Sequence, residues 1–346
     1  MEQHGHDIVV IGASANGLQP LTDLLQALPR DLPASLFMVL HTGATGGQFL
    51  PAILGRAGTL PVLAARDGEA ILPGRVYLPP PDRHLLVHHG SVHVTVGPRE
   101  NGFRPAIDPL FRTAARARGP RVIGVILSGA LDDGSYGLSA IVRSGGVAIV
   151  QDPEEAEVSS MPLAALRETP VQAVLPVAGI AAAIVQFCLD APASESTPMS
   201  APDEPEPQRL NDDIQVAEME ARHGPPTPIS CPACGGALWE SADGGVVRYA
   251  CHVGHQYAPD SLLAEHGEAV EQALWTAVRI LEQHAELRQR MSARAASAGM
   301  SMVAESFADD SRDYHTQAQA IRRLVFGQHD RIEAEPAAER RRARAR

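Results

Sequence analysis

The 346-residue chain contains no lysine; all 29 of its basic side chains are arginine. A Walker-type phosphate loop and Schiff-base chemistry both need a lysine, so both are excluded. Cysteine is scarce, with four residues at 188, 231, 234 and 251, too few and too clustered for a secreted disulfide framework. No apolar run approaches the ~18–20 residues of a membrane helix. The N-terminal MEQHGHDIVVIGAS has no signal-peptide layout, so the expected compartment is the cytoplasm and no membrane insertion is expected. With a formal net charge of −12 the surface should repel nucleic acid, which is not expected as a partner. The arginine-rich end (Arg340, Arg341, Arg342, Arg344, Arg346) is a local exception, read as part of a solvated, disordered tail over 331–346.

What is present is strand–helix alternation. Asp7–Ile11, Leu36–Leu40, Arg75–Leu78, Leu85–His88, Val122–Leu127, Val147–Val150 and Ala173–Leu175 are short apolar runs. Most are too uniformly apolar to have a wet face, as in a parallel sheet covered on both sides. Helical patterns fall at 17–28, 48–57, 109–118, 137–144, 162–169 and 177–189, with Asp108-Pro109 supplying a cap and a first-turn proline. The expected fold is α/β, a doubly wound, mostly parallel Rossmann-like sheet over residues 1–190, with a hairpin or meander around 75–96. Residues 191–230, rich in Pro, Ser and acid, cannot support a core and read as a disordered linker with a possible short helix at 213–222. A small cysteine–histidine module (231–260) and a helical hairpin (261–330) follow. The first of its helices, 261–296, carries an apolar stripe of Leu263, Val270, Leu274, Val278, Leu281 and Leu287.

Three strand ends carry candidate chemistry. Strand one runs into Gly12-Ala13-Ser14-Ala15-Asn16-Gly17 and then a helix, setting a serine hydroxyl at the carboxyl edge of the sheet beside helix N–H groups that can stabilise an oxyanion. The same hexapeptide also suits a dinucleotide-binding turn or a plain strand-to-helix turn. The second strand ends at His41, where a nicotinamide-binding fold usually places an acid. An imidazole there is a base near neutral pH or a structural histidine. The third end, VILSGALDDGSYGL, offers Asp132 and Asp133, either able to orient an imidazole and either able to act as a turn or cap residue. A hydroxyl, an imidazole and a carboxylate at three strand ends suggest a serine hydrolase.

The segments IGASANG, VLH, PGRVYLPPPDRHLLV, RPAIDPLFRTAA, VILSGALDDGSYGL and GGVAIVQDP…SSMP resemble, in order and spacing, the catalytic domain of CheB-type chemotaxis protein-glutamate methylesterases over nearly all of residues 6–185. The resemblance implies Ser14 as nucleophile, His41 as base and Asp133, rather than Asp132, as acid, with Met161 beside the site. It implies hydrolysis of glutamate methyl esters on chemoreceptor cytoplasmic helices or related signalling proteins, with glutamine deamidation as a further activity and no catalytic cofactor. The sequence departs from the family pattern at Asn16, where a glycine is usual, and at Leu131-Asp132, a pair that usually begins with glycine. The first strand starts within ten residues, so a preceding receiver domain is not expected. The other readings of the same fold are a nucleotide- or phosphate-binding protein and a non-catalytic adaptor.

Downstream, Cys231-Pro-Ala-Cys234 and Cys251-His252-Val253-Gly254-His255 have zinc-ribbon spacing, with an Asp-Gly-Gly hairpin between them. Cys231, Cys234, Cys251 and His255 form the expected structural Zn2+ site, His252 being too close to Cys251 in sequence to reach round comfortably. A closed four-ligand site is structural, and zinc ribbons of this size fold with their metal. The C-terminal helices offer a route to oligomerisation.

Overall fold

The computed structural model describes residues 5–42, 47–88, 90–190 and 225–343, with side chains to residue 326. Most of the expected linker, including its possible helix at 213–222, lies outside the described residues. The chain divides into two units, Met1–Leu263 and Ala264–Arg346.

In the first unit a seven-stranded parallel sheet is built from β1 (Ile8–Ala13), β2 (Ser35–Leu40), β3 (Val62–Ala64), β4 (Val76–Leu78), β7 (Val122–Ile126), β8 (Val147–Gln151) and β9 (Ala173–Leu175). Its order is β3-β4-β2-β1-β7-β8-β9. The central strands β1, β2, β7 and β8 are buried along their whole length, as their uninterrupted apolar runs require. Helices α1 (Leu18–Ala27), α2 (Leu50–Leu54), α3 (Ile107–Arg118), α4 (Ser135–Arg143), α5 (Ser160–Glu168) and α6 (Val177–Leu189) cover the faces. The buried apolar residues form one cluster on each side of the sheet, with Leu21, Leu25, Ile180 and Ile184 on one and Leu110, Phe111, Leu138 and Ile141 on the other. The hairpin expected near 75–96 is β5 (His84–His88) paired with β6 (Ser91–Thr95), separate from the main sheet.

The strand order reverses at β1. The chain runs outward through β2, then returns to the other side of β1 as β7, which opens a crevice at their carboxyl ends. Register makes these ends coincide. Ala13 pairs with Leu40 and Gly12 with Ile126, so Ser14, His41 and Leu127-Ser128 leave the sheet at one level.

One local expectation is corrected. The N-cap of α3 is Ala106, which places Asp108 inside the first turn, buried and unable to cap. The amides at the start of α3, those of Ile107 and Asp108, donate to Asp133.

Further along the chain, β10 (Leu238–Asp243), β11 (Val246–Cys251) and β12 (Gln256–Tyr257) form an antiparallel sheet with the hairpin turn at Gly244-Gly245. The helix α7 (Pro259–Ser297) begins in this unit and continues into the second.

In the second unit α7 and α8 (Ser301–Ala343) each present an apolar seam at heptad spacing. The buried positions are Val278, Ala285 and Ala295 on one helix, and Ala304, Ser311, Ala318 and Val325 on the other. Ser311 donates to the Ala285 carbonyl (2.9 Å) and Arg322 pairs with Glu282 (2.7 Å). The stripe expected from sequence is partly displaced, because Leu263, Val270 and Leu287 are exposed while small residues take the seam and let the backbones approach. Helix α8 also runs on to Ala343, into the stretch 331–346 where a disordered tail was expected. Among the described residues no helix is long and apolar enough to cross a membrane.

Candidate active site

Ser14 follows the last residue of β1, and its N–H donates to the Ser128 carbonyl (3.0 Å). The turn that follows needs a left-handed residue, and Asn16 supplies it at φ +54°. Asparagine is among the few non-glycine residues that tolerate that region, which explains why the turn survives the loss of the usual glycine. Gly17 donates back to the Ser14 carbonyl (2.9 Å). The Ser14 amide is therefore committed to Ser128 and the Gly17 amide to the turn, and neither is a donor for a phosphate or an oxyanion.

His41 sits one residue beyond β2, its N–H donating to the Ala13 carbonyl (3.2 Å). Its ring bridges the other two groups: Nδ1 lies 3.0 Å from Ser14 Oγ and Nε2 lies 2.8 Å from Asp133 Oδ2. Phe103 stacks on the imidazole, with centroids 3.7 Å apart and planes within 9°. The His41 side chain is 4% exposed and that of Asp133 1%.

Asp133 is a fully partnered carboxylate. Oδ2 accepts from Ile107 N–H (2.7 Å) as well as from His41, and Oδ1 accepts from Asn101 Nδ2 (2.8 Å) and Asp108 N–H (3.2 Å). Two of these donors are free amides of the first turn of α3, where the helix dipole also favours an anion. Burial pushes the Asp133 carboxyl upward, but the His41 hydrogen bond and charge, with the Ile107 and Asn101 donors, outweigh it and hold the group below its ordinary value.

Asp108 is pushed the other way, to about 7, by burial first and then by the neighbouring Asp133 charge. It accepts from Gly137 N–H (2.7 Å) and Asn101 Nδ2 (3.1 Å). Asn101, Phe103 and the buried Asp108 come from residues 96–108 and were not singled out from the sequence as site groups. Their only local signal is the Asn101-Gly102 turn dipeptide.

The two aspartates divide cleanly. Asp132 faces away from His41 and accepts from the N–H groups of Asp260 (2.8 Å) and Ser261 (3.1 Å) and from the Ser261 hydroxyl. It caps a helix 128 residues downstream, as the cap reading anticipated, though not the adjacent helix. Leu131 before it stands at φ +64°, a left-handed position that explains why glycine is usual there. Met161 packs at the site as expected. A Cβ placed on Gly129 would lie 2.5 Å from Met161 Cε and 2.8 Å from Ser14 Cβ.

The cysteine–histidine cluster also assembles. One ligand atom from each of Cys231, Cys234, Cys251 and His255 falls within 4.8 Å of all the others. Cys234 and Cys251 sulfurs are 3.7 Å apart, and His255 Nδ1 is 3.7 Å from Cys231 Sγ and 3.5 Å from Cys251 Sγ. A tetrahedron with Zn–S near 2.3 Å and Zn–N near 2.0–2.1 Å has edges of about 3.8 Å and about 3.5 Å, so the donor set fits that ion. His252 lies against Gly236 instead. The crowding separates the thiol protons: hydrogen bonding to Cys251 draws Cys231 down to about 3, while the same bond and burial push Cys251 up.

Comparison with known proteins follows this geometry. A relative from Xanthomonas campestris named protein-glutamate methylesterase/protein-glutamine glutaminase is 37% identical over 188 residues, covering 53% of this chain and 52% of that one. A relative from Leptospira interrogans, which carries the same two activities in its name, is 37% identical over 183 residues, 53% of this chain and 95% of its own. The crystal structure of the Thermotoga maritima CheB methylesterase catalytic domain superposes with a TM-score of 0.50 at 33% identity, covering 52% of this chain and 97% of that domain. The family model described as CheB methylesterase matches residues 9–184, just over half of the chain, and the chain belongs to that family.

Proposed function

We propose that residues 5–190 form a protein-glutamate methylesterase in which Ser14 is the nucleophile, His41 the general base and Asp133 the acid that orients it. The observation that carries this reading is the unbroken relay from Ser14 Oγ through both imidazole nitrogens to Asp133 (3.0 and 2.8 Å). With Nε2 donating to the carboxylate, the Nδ1 lone pair faces the hydroxyl and can take its proton. The two nitrogens exchange the roles they have in the chymotrypsin arrangement, and the chemistry is indifferent to the exchange.

Ser14 Oγ attacks the ester carbonyl as its proton passes to His41 Nδ1, and Asp133 stabilises the imidazolium. Collapse of the tetrahedral intermediate expels the methoxy group, which takes the His41 proton and leaves as methanol. Water, deprotonated by His41, then cleaves the acyl-serine and frees the glutamate carboxylate. A glutamine side chain would follow the same course with ammonia as leaving group. The names of the relatives support esterified glutamate and glutamine side chains of a protein as the substrate class, and methylated chemoreceptor helices are the protein proposed here. Cys231, Cys234, Cys251 and His255 hold a structural zinc ion with no part in bond cleavage, a reading supported by their tetrahedral spacing.

The test is methanol release from a methylated receptor fragment. Wild type should turn over, and Ser14→Ala should release nothing above background while keeping its thermal transition. Equal release from both would end the hydrolase reading. Metal analysis of the full chain should find close to one zinc per protein, reduced by Cys234→Ser.

A further inference from the structure

Asn101, one of the donors to Asp133, and Asp132, its neighbour in the chain, are both held by residues 256–261, within the unit Met1–Leu263. Asn101 is 2% exposed and stands at φ +52°. Its Nδ2 donates to Asp133 Oδ1 (2.8 Å) and Asp108 Oδ2 (3.1 Å), its Oδ1 accepts from Ala258 N–H (2.7 Å), and its own N–H donates to the Gln256 carbonyl (2.7 Å). The carboxamide has one workable orientation. Turned over, it would set NH2 against the Ala258 N–H and an oxygen against two carboxyl groups. On the other side, Asp132 is fixed by Asp260 and Ser261.

We propose that Asn101 is a positioning residue through which the zinc-loaded module sets the geometry of Asp133, so that the module is part of the esterase rather than an appendage. This rests on the hydrolase reading above. Gln256 directly follows His255, and β12 pairs with β11, whose last residue is Cys251, so two of the four ligands border the segment that grips Asn101. A second attachment runs alongside. Glu100 takes both Arg112 nitrogens (2.8 and 2.9 Å) and the module's Arg248 (3.2 Å), which also lies over the Tyr136 ring at 4.1 Å. Small zinc modules lose their fold with their metal, and loss of zinc here would release Asn101 from both its backbone partners while it still faces two carboxyl groups.

The test uses the full chain, produced with zinc supplied, as wild type, Asn101→Ala, Asn101→Asp, Cys234→Ser and the Asn101→Ala/Cys234→Ser double variant. The readouts are zinc content, kcat and KM for methanol release, and hydrogen-exchange protection of the Ile107 and Ala258 amides. Loss of a hydrogen bond to a buried charge should lower kcat in Asn101→Ala about tenfold to a hundredfold. KM should stay within about twofold, because the contact acts on the reacting groups rather than on substrate binding. Zinc content should be unchanged. Cys234→Ser should lose zinc, kcat and Ile107 protection together, and the double variant should be no slower than the slower single one. Asn101→Asp keeps an acceptor for Ala258 but no donor for Asp133, so it should be slow while Ala258 stays protected. Multiplying effects in the double variant, wild-type kcat in Asn101→Asp, or a zinc-free chain with wild-type kcat and Ile107 protection would each overturn the proposal. Ile107 protection reads the coupling without turnover, so a chain that proves inactive for other reasons still tests it.

Discussion

Asp133→Asn is the most informative single substitution, because each way of seating the new amide fails differently. If its NH2 takes the Oδ2 position, it faces Ile107 N–H, 2.7 Å away in wild type, and presents a donor to His41 Nε2. The imidazole must then accept at Nε2 and carry its proton on Nδ1, where it donates to Ser14 Oγ and cannot remove the hydroxyl proton. If the NH2 takes the Oδ1 position, the tautomer survives but the donors of Asn101 and Asp108 lose their acceptor. Two buried donors left unpaired cost roughly 2–6 kcal/mol. Either way the imidazolium loses its counter-charge, and kcat should fall on the order of 10³–10⁴-fold. The depressed Asp133 carboxyl also sets a sign in stability: its contribution is full above the unfolded-state pKa and is lost as pH falls through the folded-state value. The variant should therefore lose less stability than wild type on acidification. Methanol release with denaturant melts at two pH values measures both effects. A kcat within tenfold of wild type in a folded Asp133→Asn chain would refute the assignment.

Further outcomes follow from neighbouring contacts. Gly129→Ala would drive a methyl group to 2.8 Å from Ser14 Cβ, so turnover should fall more than tenfold while the melting curve shifts only by the cost of overpacking, about 1–3 kcal/mol; unchanged turnover would mean that Ser14 is not confined there. Asp132 is raised to about 6, chiefly by burial against the opposing Ser261 hydrogen bond, so the stability it adds is full below the unfolded-state value and is lost as pH rises through about 6. Between about pH 4 and pH 6 the stability advantage of wild type over Asp132→Asn should shrink by roughly 2 kcal/mol, and a constant difference in urea melts across that window would contradict the shift.

The sheet and its three chemical strand ends were legible because each rests on a local signal: uninterrupted apolar runs for buried parallel strands, and polar residues where those runs stop. Ser14 and His41 stand at such stops, level with Ser128 in the register of β1, β2 and β7, and Asp133 follows in the turn between β7 and α4. The edge strand β3 escaped notice, being three half-exposed residues after a proline with no alternation to read. Asp108 was misread as a cap because an aspartate before a proline has the same local pattern whether it caps a helix or is buried in one. Asn101 and Phe103 were illegible for a different reason. Their roles arise from a loop folding over the sheet edge and being gripped by a segment more than 150 residues away, and nothing in the loop itself encodes that contact.

A serine-reactive phosphonate, followed by peptide mapping, tests the hydrolase assignment most directly, since it reads nucleophile activation without any choice of substrate. The account predicts close to one adduct per folded chain, on the peptide that carries the end of strand one, at Ser14, with labelling abolished in His41→Ala. No adduct on the folded protein, or an adduct on another serine that persists in His41→Ala, would contradict it.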